Sequence, residues 1–520
     1  MQRFRFKIFT QYLWLALFVV LMRVVFKIFF DKFSVDTLLL SAVEGLKLAL
    51  WVIGFGLLNA IIDFRRLLPK SPRFLKSITT ALNISLALTP EIVRSLDRIK
   101  SASKLRAHRR GIHLVRSLLI PVISDAIDQA INLGDSMSSR GYGAPKSHDQ
   151  SNGSIEISDV SFSYGGEAPV LKQLNLWIPS GALVLVTGKT GSGKSTLLKV
   201  IQARKPDCAF VNQFPRDGFV ADKVSDEIAF ALVQQGLGRS EIDARVSDIA
   251  DTFELQDVLG KDPQALSAGF QQRVAIAAAL IAGSKVLLLD EPFSALDEAS
   301  SKTLLDALVI LKTVGITVII AEHRFEMVSQ IADLKFTLQN GHLVTHDPAT
   351  RKLVRSVNNS GSITALFGAN GSGKTTYLHK IASERGVLVP QPASDLLFLN
   401  TVDEELSTAD SDSKQPTGTA SRIFHNLVGK VAGSQNPRDL SQGQKLALAI
   451  SVQLSKTSNP LMLDEPTLGF DFDARQTLVE LLGNLSSSGI DVIVATHDRE
   501  FAEAIATRTQ IIRGGVLTNV

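Results

Sequence analysis

The stretch Gly188-Lys189-Thr190-Gly191-Ser192-Gly193-Lys194-Ser195 has the pattern G-x-x-x-x-G-K-S. It follows the apolar run 182–187 and precedes the helix-like run 196–201, so it joins a predicted strand to a predicted helix. In that setting the pattern predicts a phosphate-binding loop, because glycines let backbone N–H groups turn towards a phosphate. The helix N-terminus adds positive potential. Lys194 is then expected to reach the β- and γ-phosphates of a nucleotide, and the Ser195 hydroxyl to hold Mg²⁺.

A second loop with the same pattern, residues 368–375, lies in the second half of the chain. Two spacings between matching residues are also repeated. Ser267 and Asp290 are 23 positions apart, as are Ser441 and Asp464, and Asp290 and His323 are 33 positions apart, as are Asp464 and His497. Chance does not give equal spacings between matching residues twice. The chain is therefore predicted to contain a duplicated domain.

Polar residues with chemical roles follow the first loop in a fixed order. They are Gln213 after the apolar run 209–211, the helix-opening run Leu-Ser-Ala-Gly-Phe-Gln-Gln-Arg at 266–273, Asp290 and Glu291 at the end of the apolar run 286–289, the run 294–297, and His323 after the β-rich run 317–321. A carboxylate at a strand end can hold Mg²⁺, and its neighbour can orient or deprotonate an attacking water. A single Asp-Glu pair is equally typical of a structural role. The complete ordered set indicates nucleotide hydrolysis.

This set resembles the ATP-binding-cassette (ABC) ATPases, with their Walker A, Q-loop, signature, Walker B, D-loop and H-loop motifs, over residues 155–515. The resemblance implies two α/β P-loop domains, each with a RecA-like core and a helical subdomain, that use ATP and Mg²⁺. It also implies that the two copies pair head to tail. Site one would combine the first Walker A with the second signature, and site two would combine the second Walker A with the first signature.

The resemblance assigns roles by position. The implied catalytic residues are Glu291, His323, Glu465 and His497. The implied ATP-binding residues are Tyr164, Gly188, Lys189, Thr190, Gly191, Ser192, Gly193, Lys194, Ser195, Thr196 and Gln213 in the first copy, and Gly368, Ala369, Asn370, Gly371, Ser372, Gly373, Lys374, Thr375, Thr376 and Gln391 in the second. The signature residues are Ser267, Gly269, Phe270, Ser441, Gly443 and Gln444. The implied Mg²⁺ ligands are Ser195, Gln213, Asp290, Thr375, Gln391 and Asp464.

The two copies differ in ways that predict unequal sites. Tyr164 lies 24 positions before the first loop, where the family places an aromatic ring that stacks on adenine, although a strand aromatic alone is equally typical of a core. The second copy lacks an aromatic-bearing strand pair ahead of its phosphate loop. The first signature, which completes site two, has Phe270 where the family has Gln. The low-complexity run 407–421 of the second copy is predicted to form a loop. We expect both sites to hydrolyse ATP, with site two binding nucleotide more weakly.

The composition of the 520-residue chain predicts about three domains and some contact with a membrane. Charged residues make up 20% and the mean hydropathy is +0.17, which is unusual for a soluble protein. The net charge of +4 does not by itself favour nucleic acid as a partner. The single cysteine, Cys208, excludes internal disulfides and a CxxC metal site and suits a reducing cytosol.

The first 142 residues are predicted to form a membrane and coupling region. The apolar runs 8–30 and 38–62 are each long enough to cross a bilayer, the alternative being two buried helices of a soluble domain. A basic border follows in residues 65–76, which the positive-inside rule assigns to the cytoplasm. Two amphipathic helical stretches, 74–110 and 113–140, come next. Their basic residues are interpreted as solvated helix ends rather than a nucleic-acid patch.

The ends of these stretches, Ser103-Lys104-Leu105-Arg106-Ala107 and Ser138-Ser139-Arg140-Gly141-Tyr142, resemble the two coupling helices of the T component of energy-coupling-factor (ECF) transporters. The resemblance implies that Arg106 and Arg140 sit in clefts of two ATPases. The acidic pairs 226–227 and 403–404 are candidate partners for them. That family's T component has more membrane helices than two. A separate chain supplying the missing helices, a misplaced start codon and a truly reduced region are all consistent with this difference.

The predicted organisation is an α-helical membrane and coupling region, followed by two α/β P-loop ABC ATPase domains. The predicted boundaries are a T-component-like region at 1–142, a linker at 143–154, the first ATPase domain at 155–346, a linker at 347–362 and a trimmed second ATPase domain at 363–520. The ECF resemblance implies an importer subunit in a bacterial cell membrane, with its ATPase domains on the cytoplasmic side. The implied partners are a membrane-embedded substrate-specificity protein and the lipid bilayer, without nucleic acid. The alternatives are a soluble twin-cassette ATPase acting on ribosomes or nucleic acid, and an ABC exporter component.

Overall fold

The computed structural model describes residues 153–165, 169–323, 326–345, 352–354, 362–429, 431–456 and 460–519, and before these the helical residues 16, 45–50, 53–54, 97–98, 101, 105, 126–127, 130–131, 133–134 and 136–137. The chain forms two units, Met1–Leu86 and Ala87–Val520. The second unit contains both predicted ATPase copies together with the helical residues from 97 to 137.

The first unit is described only in part. Residues 45–50 and 53–54 are helical there. Within the described portions of the chain, no helix is both long enough and apolar enough to cross a bilayer. The predicted span 8–30 lies outside the described residues apart from Ala16, and most of the predicted span 38–62 lies outside them too. Both spans therefore stay predictions.

The first copy is built on a six-stranded sheet that a two-stranded sheet precedes. Its strands are β1 (Ile155–Phe162), β2 (Leu171–Ile178), β3 (Leu183–Thr187), β4 (Ala209–Val211), β5 (Val286–Asp290), β6 (Thr317–Ala321), β7 (Leu334–Gln339) and β8 (His342–Thr345). Its helices are α1 (Lys194–Arg204), α2 (Val224–Gln235), α3 (Arg239–Thr252), α4 (Ala268–Leu280), α5 (Glu298–Thr313) and α6 (Glu326–Ser329). The larger sheet has the order β4-β5-β6-β3-β7-β8, parallel except for the antiparallel pair β7-β8, while β1 pairs with β2 antiparallel.

The second copy repeats the six-stranded sheet. Its strands are β9 (Ile363–Phe367), β10 (Val387–Val389), β11 (Leu461–Asp464), β12 (Val492–Thr496), β13 (Arg508–Arg513) and β14 (Val516–Asn519). Its helices are α7 (Lys374–Glu384), α8 (Val402–Asp412), α9 (Thr419–Val428), α10 (Gln442–Leu454), α11 (Phe472–Ser487) and α12 (Arg499–Ile505). The order β10-β11-β12-β9-β13-β14 matches that of the first copy strand for strand. The predicted duplication is confirmed in the fold.

The strands at the centre of each sheet are short, apolar and buried. In the first copy, every residue of β3, β5 and β6 is buried. Parallel strands covered by helices on both faces require this continuous burial, which explains why these segments lack an alternating polar pattern. Ligands of open α/β sheets bind beyond the carboxyl ends of the strands. The sheet therefore places the P-loop, which follows β3, beside the carboxylates that end β5.

The low-complexity run 407–421 was predicted as a loop, and this prediction is wrong. Most of it lies in helices α8 and α9, which a short turn joins. Asp410 explains how so polar a sequence folds. Its carboxylate is almost completely buried and accepts hydrogen bonds from Gly418 N (2.7 Å) and Ala420 N (2.8 Å), which fixes the start of α9. A buried carboxylate that accepts two backbone N–H groups orders the turn without apolar residues.

Candidate functional site

The first P-loop wraps around the side chain of its own lysine. Lys194 Nζ donates to Gly188 O at 2.9 Å and to Lys189 O at 3.2 Å. A Cβ at Gly188 would lie 2.7 Å from Ser192 Oγ and 2.8 Å from Leu338 O, so the loop passes its neighbours too closely for any other residue. The backbone of the loop thus encloses the ammonium of Lys194.

The second P-loop has the same local geometry. Lys374 Nζ donates to Gly368 O at 2.6 Å and to Ala369 O at 3.3 Å. In the two loops the hydroxyl oxygens of Ser192 and Ser372 are buried without a hydrogen-bond partner. Buried polar atoms are normally paired, so these two hydroxyls fit a role in binding phosphate.

A carboxylate stands at the end of β5 and another at the end of β11, beside the residue that follows each P-loop lysine. Thr375 Oγ1 donates to Asp464 Oδ2 at 2.8 Å, and Asp290 is hydrogen-bonded to Ser195. Burial raises the pKa of Asp290 to about 6, and the charge of Glu291 adds to this, while the bond to Ser195 opposes it. One oxygen of each aspartate, Oδ1, is buried without a partner. A hydroxyl and a carboxylate with an unsatisfied oxygen are hard ligands that suit Mg²⁺.

The predicted catalytic glutamates share an unusual backbone conformation. Glu291 and Glu465 both have φ = 45°, in the left-handed region that non-glycine residues rarely occupy. Glu291 accepts a hydrogen bond from Gln213 Nε2 at 2.8 Å, and its Oε1 is 3.4 Å from His323 Nδ1. Glu465 lies 2.9 Å from His497 Nδ1 and also accepts from the His497 backbone N–H at 3.2 Å. The structure therefore brings each predicted glutamate and histidine together.

The two D-loops are residues 294–297 and 468–471, and the aspartate that ends each of them, Asp297 or Asp471, accepts a backbone hydrogen bond from the P-loop of the other copy. Asp471 Oδ2 accepts from Thr190 N at 2.7 Å, and Asn370 Nδ2 donates to Ala295 O at 3.1 Å. Burial raises the pKa of Asp471, but hydrogen bonds from the backbones of Ala474 and Thr190 outweigh it and leave that pKa below its usual value. The two copies thus face each other head to tail, as the sequence predicted.

A second contact crosses between the copies at the first P-loop only. Lys189 Nζ is 2.5 Å from Asp473 Oδ2, in the first turn of α11. The residues at the matching positions, Ala369 and Ala299, carry no charge. Both side chains of the ion pair are well exposed, so its contribution is small, about 0–1 kcal/mol. It makes the interface between the copies asymmetric.

A cavity of about 540 Å³ lies between the two copies, within the size range of small-ligand sites. Its walls come from both of them. They include Tyr164, Thr190, Lys194, Ser195, Thr196, Gln213 and Glu291 from the first copy, and Gln391, Gln442, Asp464, Glu465 and Leu468 from the second. Gln442 is the first residue of α10, directly after Ser441. The start of the second signature helix therefore faces the first P-loop.

Tyr164 is suited to stack on a nucleobase. It is 51% exposed at the wall of the cavity, just beyond the end of β1. Its ring meets that of Phe162 edge to face with 4.9 Å between centroids, and its hydroxyl is 3.2 Å from Thr196 Oγ1. These contacts hold the ring in place and leave a face open.

The two signature helices begin differently. Ser441 and Gln444 form a capping box, in which the Ser441 hydroxyl accepts from Gln444 N and the Gln444 side chain accepts from Ser441 N. Ser267 has no such side-chain bond. Phe270 instead lies under the guanidinium of Arg273, 4.5 Å from Cζ to the ring centroid. The two copies therefore present different groups at the position where the family has Gln.

The glycines of the signatures are also unequal. A Cβ at Gly269 would lie 2.6 Å from Ser300 Oγ, whereas one at Gly443 would meet no atom within 4 Å. Gly269 is buried against the helix that follows the first D-loop, and Gly443 has open space beside it. The second signature is thus the one with room for a ligand beside its glycine.

The predicted coupling residues Arg106 and Arg140 lie outside the described residues, so their role stays a prediction. Of their candidate partners, Glu227 is fully buried and accepts from Val220 N and Ala221 N, both at 2.8 Å. This carboxylate orders the chain that leads into α2.

Comparisons with known proteins agree with this geometry. Residues 171–294 match the family model described as "ABC transporter", and residues 379–503 match one described as "AAA domain, putative AbiEii toxin, Type IV TA system". The chain contains two ABC ATPase domains. Such domains hydrolyse ATP with Mg²⁺, and the chain is an ATP hydrolase of this kind.

Similar proteins carry the same description. A "Putative ABC transporter ATP-binding protein" of Streptomyces avermitilis is 29% identical over 518 residues, covering 69% of this chain and 92% of that protein. One from Treponema denticola is 26% identical, covering 69% and 96%. The solved structure "Model of ribosome-bound archaeal Pelota and ABCE1" aligns with a TM-score of 0.51 at 19% identity, covering 68% of this chain and 76% of that one. At that identity it shows a shared fold alone.

One residue of the first ABC domain escaped sequence reasoning. Glu322 is fully buried directly before His323, and its Oε1 lies 3.5 Å from His323 Nδ1. The second domain has Thr496 at the matching position, before His497. Aligning the two copies residue by residue would have found this difference, because it adds a charge beside one histidine only.

Proposed function

We propose that the chain is the ATP-hydrolysing energy-coupling subunit of an ABC importer of the ECF type. It drives uptake of a small micronutrient, such as a vitamin, a vitamin precursor or a transition metal ion, through a separate membrane-embedded substrate-specificity protein. The observation that supports this proposal is that the helical residues before the ABC domains contact equivalent turns in both of them.

Each of these turns follows a Q-loop glutamine. The 3₁₀ turn Pro215–Gly218 comes after Gln213, and the 3₁₀ turn Ala393–Leu396 comes after Gln391. Both turns pack on the signature helix of their own domain. Both glutamines line the nucleotide cavity. A change at the nucleotide therefore has a short route to each turn.

The turn in the second domain is held by Arg98, and Leu105 contacts the same domain. Arg98 Nε lies 2.9 Å from Asp395 Oδ2, and Asp395 is 9% exposed. Lys456 Nζ donates to Leu105 O, and the Leu105 side chain packs against the apolar core of the second domain. An ion pair, a hydrogen bond and an apolar contact together fix this segment on the second ABC domain.

The turn in the first domain is held by residues 133–137. Ser136 Oγ donates to Gly218 O at 3.3 Å, and a Cβ on Gly218 would lie 2.5 Å from Ser136 Oγ. Leu133 and Met137, on the same helical stretch, are buried. The earlier segment thus contacts the later domain, and the later segment contacts the earlier domain. When the ABC domains move relative to each other, the two segments must move as well.

The proposed location is a bacterial cell membrane, with the ABC domains on its cytoplasmic side. Leu46, Leu48 and Leu50 are exposed on the helical residues 45–50, which supports contact with lipid. We call the helical segments around Arg98 and Ser136 the coupling segments. The step in which their movement tips the specificity protein is taken from the family resemblance.

In the proposed reaction, Lys194 exchanges its two carbonyl partners for the β- and γ-phosphates of ATP. Glu291 positions and deprotonates the attacking water, and His323 donates to the γ-phosphate. Asp290 and Ser195 would hold Mg²⁺, which would supply positive charge to neutralise the phosphates. In site two the matching residues act in the same way.

The proposal is tested on the full chain in membranes of its own host. We expect the tagged chain to copurify with a small integral membrane protein, and the complex in lipid vesicles to take up one member of a panel of vitamins and of cobalt and nickel ions. Uptake should require ATP and be lost when Lys194 and Lys374 are both replaced by alanine. Lys380→Ala, an exposed lysine on α7, is the matched control and should leave uptake unchanged.

Two results would contradict the proposal. The first is sedimentation of the chain with ribosomal subunits in an ATP-dependent manner, without a membrane protein, which would favour a soluble twin-cassette factor. The second is outward transport by the reconstituted complex, which would favour an exporter component.

A further inference from the structure

The lysine of the second P-loop forms an ion pair with the predicted catalytic glutamate of its own domain. Lys374 Nζ lies 3.3 Å from Glu465 Oε1, and the two side chains are only 7% and 13% exposed. Burial alone raises the pKa of Glu465, but the hydrogen bond and charge of His497, together with the charge of Lys374, leave that pKa below its usual value. The carboxylate and the ammonium therefore form a close, largely buried pair.

The first domain arranges the same residues differently. Lys194, like Lys374, donates to two backbone carbonyls. Among the described residues it has no counterpart of the Lys374 ion pair, because Glu291 instead accepts from Gln213 Nε2 and lies 3.4 Å from His323 Nδ1. The backbones do not cause the difference, since Glu291 and Glu465 have the same φ. Of the two P-loop lysines, Lys374 is paired with a carboxylate, and among the described residues Lys194 has no carboxylate within ion-pair distance.

The neighbours of the two histidines also differ. His323 lies between two carboxylates, 3.4 Å from Glu291 and 3.5 Å from Glu322. At the matching position the second domain has Thr496, and His497 bonds to Glu465 alone among the described carboxylates within ion-pair distance. His497 Nδ1 lies 2.9 Å from one oxygen of Glu465, and the other oxygen lies 3.3 Å from Lys374 Nζ.

We infer that Glu465 competes with nucleotide for Lys374, so that the two sites load in order, site one before site two. At both P-loops the phosphates of ATP replace two carbonyl groups, and at the second they must also break a buried ion pair. Buried charge pairs in a low-dielectric interior cost free energy to separate. The inference concerns nucleotide binding and does not depend on transport, so its failure would leave the proposed function untouched.

The test measures binding of the non-hydrolysable analogue AMP-PNP with Mg²⁺ to the full chain. Lys194→Ala isolates the second P-loop, and Lys374→Ala isolates the first. In the Lys194→Ala background, adding Glu465→Gln should raise the affinity of the second P-loop for AMP-PNP about tenfold, the equivalent of about 1.4 kcal/mol. In the Lys374→Ala background, adding Glu291→Gln should change the affinity of the first P-loop for AMP-PNP by less than about twofold. An analogue that is not hydrolysed ensures that slower turnover cannot mimic tighter binding.

Two outcomes overturn the inference. One is an unchanged affinity at the second P-loop with Glu465→Gln. The other is an equal rise at the first P-loop with Glu291→Gln, which would show that any carboxylate near the phosphates repels them. Thermal unfolding of each variant checks its fold. Should Glu465→Gln unfold, Glu465→Asp keeps the charge but withdraws it from Lys374 by one methylene, and a smaller rise in affinity is expected.

Discussion

Replacing Glu291 by glutamine is expected to lower ATP turnover of the purified chain by about 100-fold or more, the usual contribution of a general base. Glutamine keeps the length of the side chain, and its oxygen can still accept from Gln213, which lies 2.8 Å from Glu291 in the native protein. Nucleotide binding should therefore survive while hydrolysis is lost. The measurement is steady-state phosphate release, with retention of labelled ATP measured in parallel.

The Glu465→Gln variant tests whether the two sites differ. We expect Glu465→Gln to lower ATP turnover less than Glu291→Gln does, because site two loads more weakly. Glu384→Gln, an exposed carboxylate on α7, removes the same charge and should leave turnover unchanged. Turnover that is near normal in Glu291→Gln and abolished in Glu465→Gln would show that the assigned asymmetry is reversed.

Reversing the charge of Arg98 is expected to uncouple ATP hydrolysis from transport. Arg98→Asp places a carboxylate against Asp395, which is nearly buried and 2.9 Å from the guanidinium in the native protein. Loss of that charged contact costs about 1–3 kcal/mol of docking, before any repulsion is counted. ATP turnover of the isolated chain should stay close to normal, while ATP-driven uptake by the reconstituted complex should fall at least about tenfold.

The double variant Arg98→Asp with Asp395→Arg restores opposite charges and should recover much of the uptake. Arg239→Asp reverses a charge that is 94% exposed on α3 and should leave uptake unchanged. Normal uptake in Arg98→Asp, or no recovery in the double variant, would show that this ion pair does not couple ATP hydrolysis to uptake.

The sequence predicted the parts of the fold that depend on local pattern. The apolar runs before Gly188 and Asp290 became the buried strands β3 and β5, because parallel strands covered on both faces need such runs. The repeated spacings predicted the second domain. The prediction failed at residues 407–421, where one buried carboxylate, Asp410, orders a turn between helices and leaves no apolar signal in the sequence.

Contacts between distant motifs were beyond sequence reasoning. The bond from Thr190 to Asp471 joins residues 281 positions apart, and its partners are fixed only when the two domains pack. The ion pair between Lys374 and Glu465 depends on the position of one side chain, whose other oxygen lies 2.9 Å from His497 Nδ1. The family resemblance correctly suggested that the domains face head to tail, but it gave no reason to expect unequal P-loop lysines.

The most direct test of the account is the distance between the two coupling segments with and without ATP. Ser101 and Ala130 are exposed, helical positions near the contacts of Arg98 and Ser136, and they can carry spin labels in the Glu291→Gln, Glu465→Gln variant. The account predicts that Mg²⁺ and ATP shift the distance distribution, because each segment is held by a different ABC domain. An unchanged distribution in protein that demonstrably retains ATP would contradict coupling through these segments.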